Sequence, residues 1–255
     1  MLDRDELSTY GPPGFHLAQK EKDYVQHYLL SFLSRSGFRG VFKGGTCLQK
    51  AYGLPRFSED LDFTLNEANE PDKDAMSAFL SSAGFSNLAW KEEETEVSSN
   101  AKLRYRGPLY NGTSISEGVV LLEFSKREKT ILAPHVVMVT PPYPDLLSYQ
   151  LAVMDKQEIA AEKIRAILTR NSARDLYDLY FLLNQKSGLR TDLVSKKLGH
   201  YGIEFQFNLF EAKIGKLEKI WKNEIVALTS NLLDYGDVAQ RVIKEVRKEM
   251  KPGQH

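Results

Sequence analysis

The residues best suited to chemistry are two aspartates that stand one residue apart, Asp60 and Asp62. Side chains alternate between the two faces of a β-strand, so both carboxylates would lie on one face, with Leu61 and Phe63 on the other. Two neighbouring carboxylates repel each other unless a cation lies between them. Mg²⁺ prefers such oxygen ligands and often bridges a carboxylate to a phosphate. The pair therefore predicts a divalent metal site.

Two glycines, Gly44 and Gly45, end the preceding apolar run. Glycine allows the backbone to turn sharply and to approach a ligand closely. Apolar residues at helical spacing then predict a helix that begins at Thr46, and the N–H groups at a helix N-terminus favour phosphate. Taken alone, each motif is more often an ordinary turn or a solvated surface. Their order of strand, turn, helix and strand favours a site for a nucleoside triphosphate and a metal ion.

The elements that would position these residues form a sheet with flanking helices. Residues 1–16 contain Gly11-Pro12-Pro13-Gly14 and predict an irregular lead-in, and the acidic run at residues 92–94 predicts a solvated loop. Helices are predicted around residues 25–33 and over 72–83. Strands are predicted over residues 38–43, 61–65, 101–105, 119–124 and 135–139.

A third acid, Glu123, stands in an otherwise apolar strand. A lone buried carboxylate is unfavourable without a partner, and a cation held together with Asp60 and Asp62 would be such a partner. The alternative is a glutamate at the strand edge that pairs with Lys126 or Arg104. The residues alone leave both interpretations open.

A proline-rich stretch at residues 141–144 places a domain boundary near residue 150. The predicted domains are residues 1–150, which hold the motifs above, and residues 151–255, which read as almost entirely helical.

Two further candidates lie in the helical half. In a helix predicted over residues 157–168, Lys163 lies on the apolar face. It is either a cation aimed at a triphosphate or a side chain that extends to water. Asp175 follows Ser172 at the spacing of a capping box, so it is either a capping acid or a site residue.

Composition narrows the class of protein. The 255 residues include 34 basic and 34 acidic ones, so a nucleic acid would have to be bound through a local basic patch. The single cysteine, Cys47, excludes an intramolecular disulfide and a multi-cysteine metal site. The charged start lacks the apolar core of a signal peptide, and no run approaches the roughly 20 apolar residues of a membrane helix. We therefore expect a cytoplasmic protein with no membrane partner.

The motifs resemble those of a known superfamily. Gly45-Thr46, then thirteen residues, then Asp60-x-Asp62 is similar to the signature of the DNA polymerase β-type nucleotidyltransferases. The fuller pattern resembles one branch, the AbiEii/AbiGii (MenT-like) toxins of bacterial toxin–antitoxin and phage-defence systems. The segments that carry this likeness are Lys43-Gly44-Gly45-Thr46, residues 56–63, Glu162-Lys163 and Arg174-Asp175-Leu176-Tyr177-Asp178-Leu179.

The resemblance implies an α+β fold, with a polymerase β-like nucleotidyltransferase sheet and flanking helices followed by a C-terminal helical bundle. It implies that a nucleoside monophosphate is transferred from an NTP to an acceptor hydroxyl, with two Mg²⁺ ions as cofactors. The implied catalytic residues are Asp60, Asp62, Lys163 and Asp175, the last two from the helical domain. The implied NTP-binding residues are Lys43, Gly44, Gly45, Thr46, Arg56, Ser58 and Lys163, and the implied metal ligands are Asp60, Asp62 and Glu123.

The resemblance also implies a biological role in the bacterial cytoplasm. Family members that are understood act on the 3′ end of tRNA, which then cannot be charged, so growth halts. The implied partners are an NTP, tRNA and a cognate antitoxin. In some relatives the antitoxin is a kinase, which makes the Ser58 hydroxyl a candidate phosphorylation point. Two alternatives remain open: a nucleotidyltransferase that acts on a small molecule or a protein, and a non-catalytic NTP-binding protein on the same scaffold.

Overall fold

The structure, a computed structural model, describes residues 1–185 and 188–250. The chain divides into two compact units. The first consists of Met1–Thr130 and Pro134–Val153, and the second consists of Ile131–Ala133 and the chain from Met154 onward. Each unit buries its own set of apolar side chains.

The described part of the first unit contains one mixed sheet of seven strands: β1 (Val41–Lys43), β2 (Leu61–Thr64), β3 (Ser86–Glu94), β4 (Ser98–Arg106), β5 (Gly118–Ser125), β6 (His135–Val139) and β7 (Tyr149–Val153). Their order across the sheet is β3-β4-β5-β2-β1-β7-β6. At the centre, β1 pairs antiparallel with β2, and β2 pairs parallel with β5. The two motif-bearing strands therefore lie in the middle of the sheet.

A row of three aromatic rings, Phe42, Phe63 and Phe124, marks the apolar face of these central strands. The ring centroids of Phe63 and Phe124 are 5.6 Å apart, and those of Phe42 and Phe63 are 5.2 Å apart. All three rings are buried, and each such contact contributes about 0.5–1.5 kcal/mol beyond the buried area. Because successive side chains alternate faces, this packing directs the neighbouring Asp62 and Glu123 to the opposite face.

The described α-helices of the first unit are α1 (Arg4–Thr9), α2 (Leu17–Arg35), α3 (Gly44–Tyr52) and α4 (Lys73–Ser82), and a short 3-10 helix covers Ser114–Ser116. The prediction of an irregular lead-in is wrong for α1, which begins with a capping box between Asp3 and Glu6. The predicted helix start at Thr46 is also wrong. Because Lys43 is both the last residue of β1 and the N-cap of α3, the helix starts directly at Gly44.

Two strands depart from the sequence-based expectation. The acidic run at residues 92–94 lies in β3 rather than in a loop, although its side chains are exposed as expected. β3 is an edge strand, and charged side chains on an edge discourage pairing with other chains. The short strand β7 was not predicted, and it joins the sheet through Phe42 opposite Val153.

The described part of the second unit is helical: α5 (Lys156–Thr169), α6 (Ala173–Asn184), α7 (Thr191–Gly199), α8 (Phe207–Val226) and α9 (Tyr235–Glu249). The predicted architecture, a sheet with flanking helices followed by a helical C-terminal region, is confirmed. None of the helices in residues 1–185 and 188–250 is both long and apolar enough to cross a bilayer.

The start of α6 differs from the predicted capping box. Ser172 is the N-cap, but neither its side chain nor that of Asp175 caps the helix. Glu224 of α8 does so instead, since its carboxylate accepts hydrogen bonds from the Ala173 backbone N–H at 2.9 Å and from the Ser172 hydroxyl at 3.3 Å. Asp175 is thereby left for other contacts.

Candidate active site

One row of the sheet carries polar residues from four adjacent strands. Lys43 lies opposite Asp62, Asp62 opposite Glu123, and Glu123 opposite Asn100. Residues opposite one another in a ladder share a face, and neighbouring strands lie about 4.8 Å apart. The fold thus brings Asp62 and Glu123 side by side.

Two close approaches explain the glycine pair. Gly44 has a φ of +74°, and a Cβ at this position would overlap the Asp62 carboxylate. A Cβ on Gly45 would lie 2.6 Å from Nη2 of Arg56 and 2.8 Å from Oγ of Ser58. The backbone that starts α3 is therefore packed against the acidic row on one side and against Arg56 and Ser58 on the other.

The first turn of α3 has the character of an anion site. The first four N–H groups of a helix have no acceptor within the helix, and the helix dipole adds partial positive charge there. The buried Arg56 guanidinium stands beside this turn, where its Nη1 donates to the Phe57 carbonyl at 2.8 Å. These donors together favour a phosphate group.

Thr46 occupies the same turn but its side chain faces the protein. It is fully buried, and its hydroxyl donates a hydrogen bond to the Asp60 carbonyl. The Thr46 side chain therefore fixes the backbone at Asp60, and any contact of Thr46 with a phosphate would be made by its backbone N–H.

The alternative partners considered for Glu123 are engaged elsewhere. Lys126 pairs with Glu94 at 2.7 Å and with Glu70 at 3.3 Å. Arg104 pairs with Glu117 at 3.5 Å. The structure therefore does not support the interpretation of Glu123 as a simple ion-pair partner of these two cations.

A divalent cation would fit the chemistry of the acidic row. Across residues 1–185 and 188–250, no group of three or more His, Cys, Asp or Glu side chains is already placed to hold a metal ion, so metal binding by Asp60, Asp62 and Glu123 stays a prediction. Beside Glu123, however, Oδ1 of Asn100 is buried and has no hydrogen-bond partner among the described residues. Carboxylate and amide oxygens are the ligands that hard cations take.

The second group of site candidates belongs to the helical unit. Lys163 of α5 contacts Oδ1 of Asp175 at 3.0 Å and Oδ2 of Asp178 at 2.7 Å, both on α6. The Lys163 side chain is only 10% exposed, so it does not extend to water. Arg170 adds two hydrogen bonds to Asp175, at 2.7 and 2.9 Å.

These contacts fix the charge state of Asp175. Burial by itself would raise the pKa of this carboxyl, but Lys163 and Arg170 outweigh burial and hold its pKa well below the ordinary value. A carboxylate that is so strongly paired is a poor proton acceptor near neutral pH. Its geometry suits it to hold Lys163 in place.

Three residues of these clusters were not predicted. Asp178 follows Asp175 by three residues, and this i, i+3 spacing on a helix was a readable signal for a shared face. Arg170 lies two residues beyond the helix predicted over residues 157–168, and its position gives no sign of its pairing with Asp175. Asn100 carried no signal, because its place opposite Glu123 depends on the register of two strands.

A known protein family matches the part of the chain that holds both groups of candidate site residues. The family model described as the nucleotidyl transferase AbiEii toxin of type IV toxin–antitoxin systems matches residues 29–242. No curated protein matches the chain.

Solved structures share the fold. The crystal structure of JHP933 from Helicobacter pylori is 22% identical, with a TM-score of 0.62 over 89% of this chain and 90% of that one. MenT4, a nucleotidyltransferase toxin from Mycobacterium tuberculosis, is 21% identical, with a TM-score of 0.59 over 96% of this chain and 88% of that one. At these identities the likeness shows the fold alone.

Proposed function

Because this chain belongs to the AbiEii family of nucleotidyltransferase toxins, we propose that it transfers a nucleoside monophosphate from an NTP to the 3′ end of tRNA. The bond between the α- and β-phosphates breaks, a phosphodiester to the acceptor hydroxyl forms, and pyrophosphate leaves. The observation that carries this proposal is the row that sets Asp62 beside Glu123, with the start of α3 packed against Asp62.

The first unit would bind the triphosphate. The N–H groups at the start of α3 and the guanidinium of Arg56 would hold the β- and γ-phosphates. Asp60, Asp62 and Glu123 would hold Mg²⁺. When bound, Mg²⁺ would neutralise phosphate charge and lower the pKa of the acceptor hydroxyl.

Lys163 and Asp175 would serve the same reaction. Lys163 would supply positive charge as negative charge moves onto the leaving pyrophosphate. The pairing of Asp175 with Lys163 and Arg170 supports a positioning role for this aspartate rather than a role as general base.

A local basic surface supports tRNA as the acceptor. On α9 and α8 a cavity of about 380 Å³ is lined by Lys244, Arg247 and Lys248 together with Glu211, Gln240 and Ile243. Cationic side chains on a helix face bind phosphate backbones irrespective of sequence. Addition of a nucleotide to the tRNA 3′ end would block aminoacylation and stop growth.

The cognate antitoxin would act on the NTP site. The Ser58 hydroxyl lies beside Gly45 at the start of α3, and a phosphate on it would bring about −1.5 to −2 charges to the place where the NTP phosphates bind. Phosphorylation of Ser58 would therefore inhibit the toxin.

A transfer assay tests this proposal. The protein and an Asp60→Ala control would be incubated with Mg²⁺, total tRNA and one α-labelled NTP at a time. We expect label on tRNA with the unaltered protein alone, and the labelled NTP names the nucleotide. NTP binding without label on tRNA would contradict tRNA as the acceptor. Label on proteins or small hydroxylated molecules would then identify the acceptor class.

A further inference from the structure

Two glutamine side chains hold the backbone of Ser58 and Glu59, directly ahead of Asp60. The Ser58 N–H donates to Oε1 of Gln49 on α3 at 3.0 Å. Nε2 of Gln26 on α2 donates to the carbonyls of Ser58 at 3.0 Å and Glu59 at 2.8 Å. Two helices therefore bind consecutive backbone groups directly ahead of Asp60.

Gln49 is itself oriented by a buried carboxylate, Asp23 of α2. Oδ1 of Asp23 accepts hydrogen bonds from Nε2 of Gln49 and from Nζ of Lys50, each at 2.8 Å, and Oδ2 accepts one from the Tyr143 hydroxyl at 2.8 Å. Asp23 is fully buried. Since Asp23 takes the amide nitrogen of Gln49, the amide oxygen must face Ser58.

The charge on Asp23 is maintained inside the protein. Burial would raise the pKa of Asp23, but the charge of Lys50 and the hydrogen bonds from Lys50 and Tyr143 act against burial, so the pKa is lowered overall. A buried ion pair seldom stabilises a fold more than apolar residues of similar volume. A role in fixing the Gln49 amide gives this buried pair a functional reason.

We propose that Gln49, oriented by Asp23, is a positioning residue that fixes the backbone at Ser58 and thereby the place of Asp60. This inference rests on the proposed function, because Asp60 is there a metal ligand. The loss of one outer-shell partner of a metal-binding group typically lowers metal affinity or activity about 10–100-fold.

The first test measures the protection of the Ser58 backbone directly and needs no substrate. Hydrogen exchange at the Ser58 amide would be compared between the unaltered protein, Gln49→Met and a control, Gln19→Met. Gln19 is also a buried glutamine, and it bonds to the backbone N–H of His16 at 3.1 Å. We expect faster exchange at Ser58 in Gln49→Met alone. Equal exchange at Ser58 in Gln49→Met and the unaltered protein would overturn the inference, whatever reaction the protein performs.

The second test measures whether metal binding that depends on Asp60 is weakened. Mn²⁺ binding in the presence of an NTP would be followed by electron paramagnetic resonance, with Asp60→Ala to identify the site. We expect Gln49→Met to need about 10–100-fold more Mn²⁺ and Gln19→Met to match the unaltered protein. Equal Mn²⁺ affinity in Gln49→Met overturns the inference. If the unaltered protein shows no Asp60-dependent binding, the proposed function fails instead.

A third variant separates positioning from packing. Gln49→Glu keeps an oxygen for the Ser58 N–H but sets a second carboxylate against Asp23. When protonated, the new carboxyl can donate to Asp23 again. The protection of the Ser58 amide and the Mn²⁺ affinity, each compared with the unaltered protein at the same pH, should therefore return as the pH is lowered. If the difference between this variant and the unaltered protein stays the same from about pH 8 to about pH 6, the orienting role of Asp23 is contradicted.

Discussion

At the scale of single residues, Gly44 is required both by its backbone conformation and by its contact with a candidate site residue. Its φ is +74°, and a Cβ there would overlap the Asp62 carboxylate. Gly44→Ala should therefore displace Asp62, because the carboxylate is nearer than any side-chain carbon allows. We expect a drop in nucleotide transfer of at least about 100-fold, the scale expected when a reacting group is misplaced by about 1 Å.

A matched control for backbone strain lies at the other end of the same helix. Gly53 has a φ of +78°, but a Cβ added there would meet no atom of the described residues within 4 Å. Gly53→Ala should lower stability by about 1–2 kcal/mol and leave transfer unchanged. Equal transfer rates in the two variants would show that the contact with Asp62 does not matter.

Asn100 gives a second prediction, in which one substitution maintains or raises the stability of the fold and weakens ligand binding. Its buried Oδ1 has no hydrogen-bond partner within the described part of the chain, and such an atom destabilises a fold by about 1–3 kcal/mol. Asn100→Leu should therefore raise the melting temperature of the isolated protein or leave it unchanged. If Asn100 contributes to cation binding beside Glu123, the further rise caused by Mn²⁺ and NTP should shrink. A variant that loses stability but keeps the full ligand-induced rise would place Asn100 outside the site.

At the scale of elements, α2 holds a histidine whose protonation the fold opposes. Burial first, and the nearby Lys50 second, lower the pKa of His27 to about 3, although Asp23 acts in the opposite direction. Nδ1 of His27 lies 2.7 Å from the Tyr149 hydroxyl of β7. The contact between α2 and the sheet therefore contains a neutral imidazole.

This shift predicts how stability depends on pH. Between about pH 6.5 and about pH 3 the unfolded chain binds a proton at His27 that the folded chain excludes. The free energy of unfolding should fall by up to about 1.4 kcal/mol per pH unit as the pH is lowered below about 6.5, and His27 should contribute no slope above it. Urea denaturation of the unaltered protein and His27→Gln from about pH 8 to about pH 5 isolates this contribution. Parallel curves for the two proteins would refute it.

The elements that sequence predicts well are those whose pattern reflects burial. β2 and β5 were predictable because Leu61, Phe63 and Phe124 pack in the core. β3 was missed because, at the edge of the sheet, residues 92–94 face solvent and carry no apolar alternation. The start of α3 was placed too late because glycine is a weak helix former, whereas here Gly44 and Gly45 are required by close contacts.

In the candidate site, too, the sequence predicts local spacing better than contacts between elements. Local spacing led to the prediction that Asp60 and Asp62 share one strand face, but β2 begins at Leu61, so only Asp62 lies in the strand. The position of Asn100 depends on the pairing of β4 with β5, which is decided by the whole sheet. The partners of Lys163 likewise come from a second helix, so the helical pattern identified the cation but not both of its aspartates.

At the scale of the whole molecule, the chain has no net charge, but its two units carry net charges of opposite sign. The first unit has 16 lysines and arginines against 20 aspartates and glutamates, and the second has 18 against 14. A neutral total is therefore compatible with a basic surface for RNA. The excess of positive charge lies in the unit that carries the cavity on α8 and α9.

This asymmetry predicts that RNA affinity and NTP affinity can be changed separately. The double variant Lys244→Glu/Lys248→Glu reverses two charges that line the cavity. Each lost phosphate contact should reduce the slope of log affinity against log salt by about 0.7–0.9, so the variant should bind tRNA more weakly and with less dependence on salt. NTP binding should not change. Lys196→Glu, an exposed lysine on α7 away from the cavity lining, is the control. Similar loss of tRNA affinity in the control would indicate a general charge effect, and an unchanged salt slope in the double variant would exclude this surface as the proposed tRNA-binding surface.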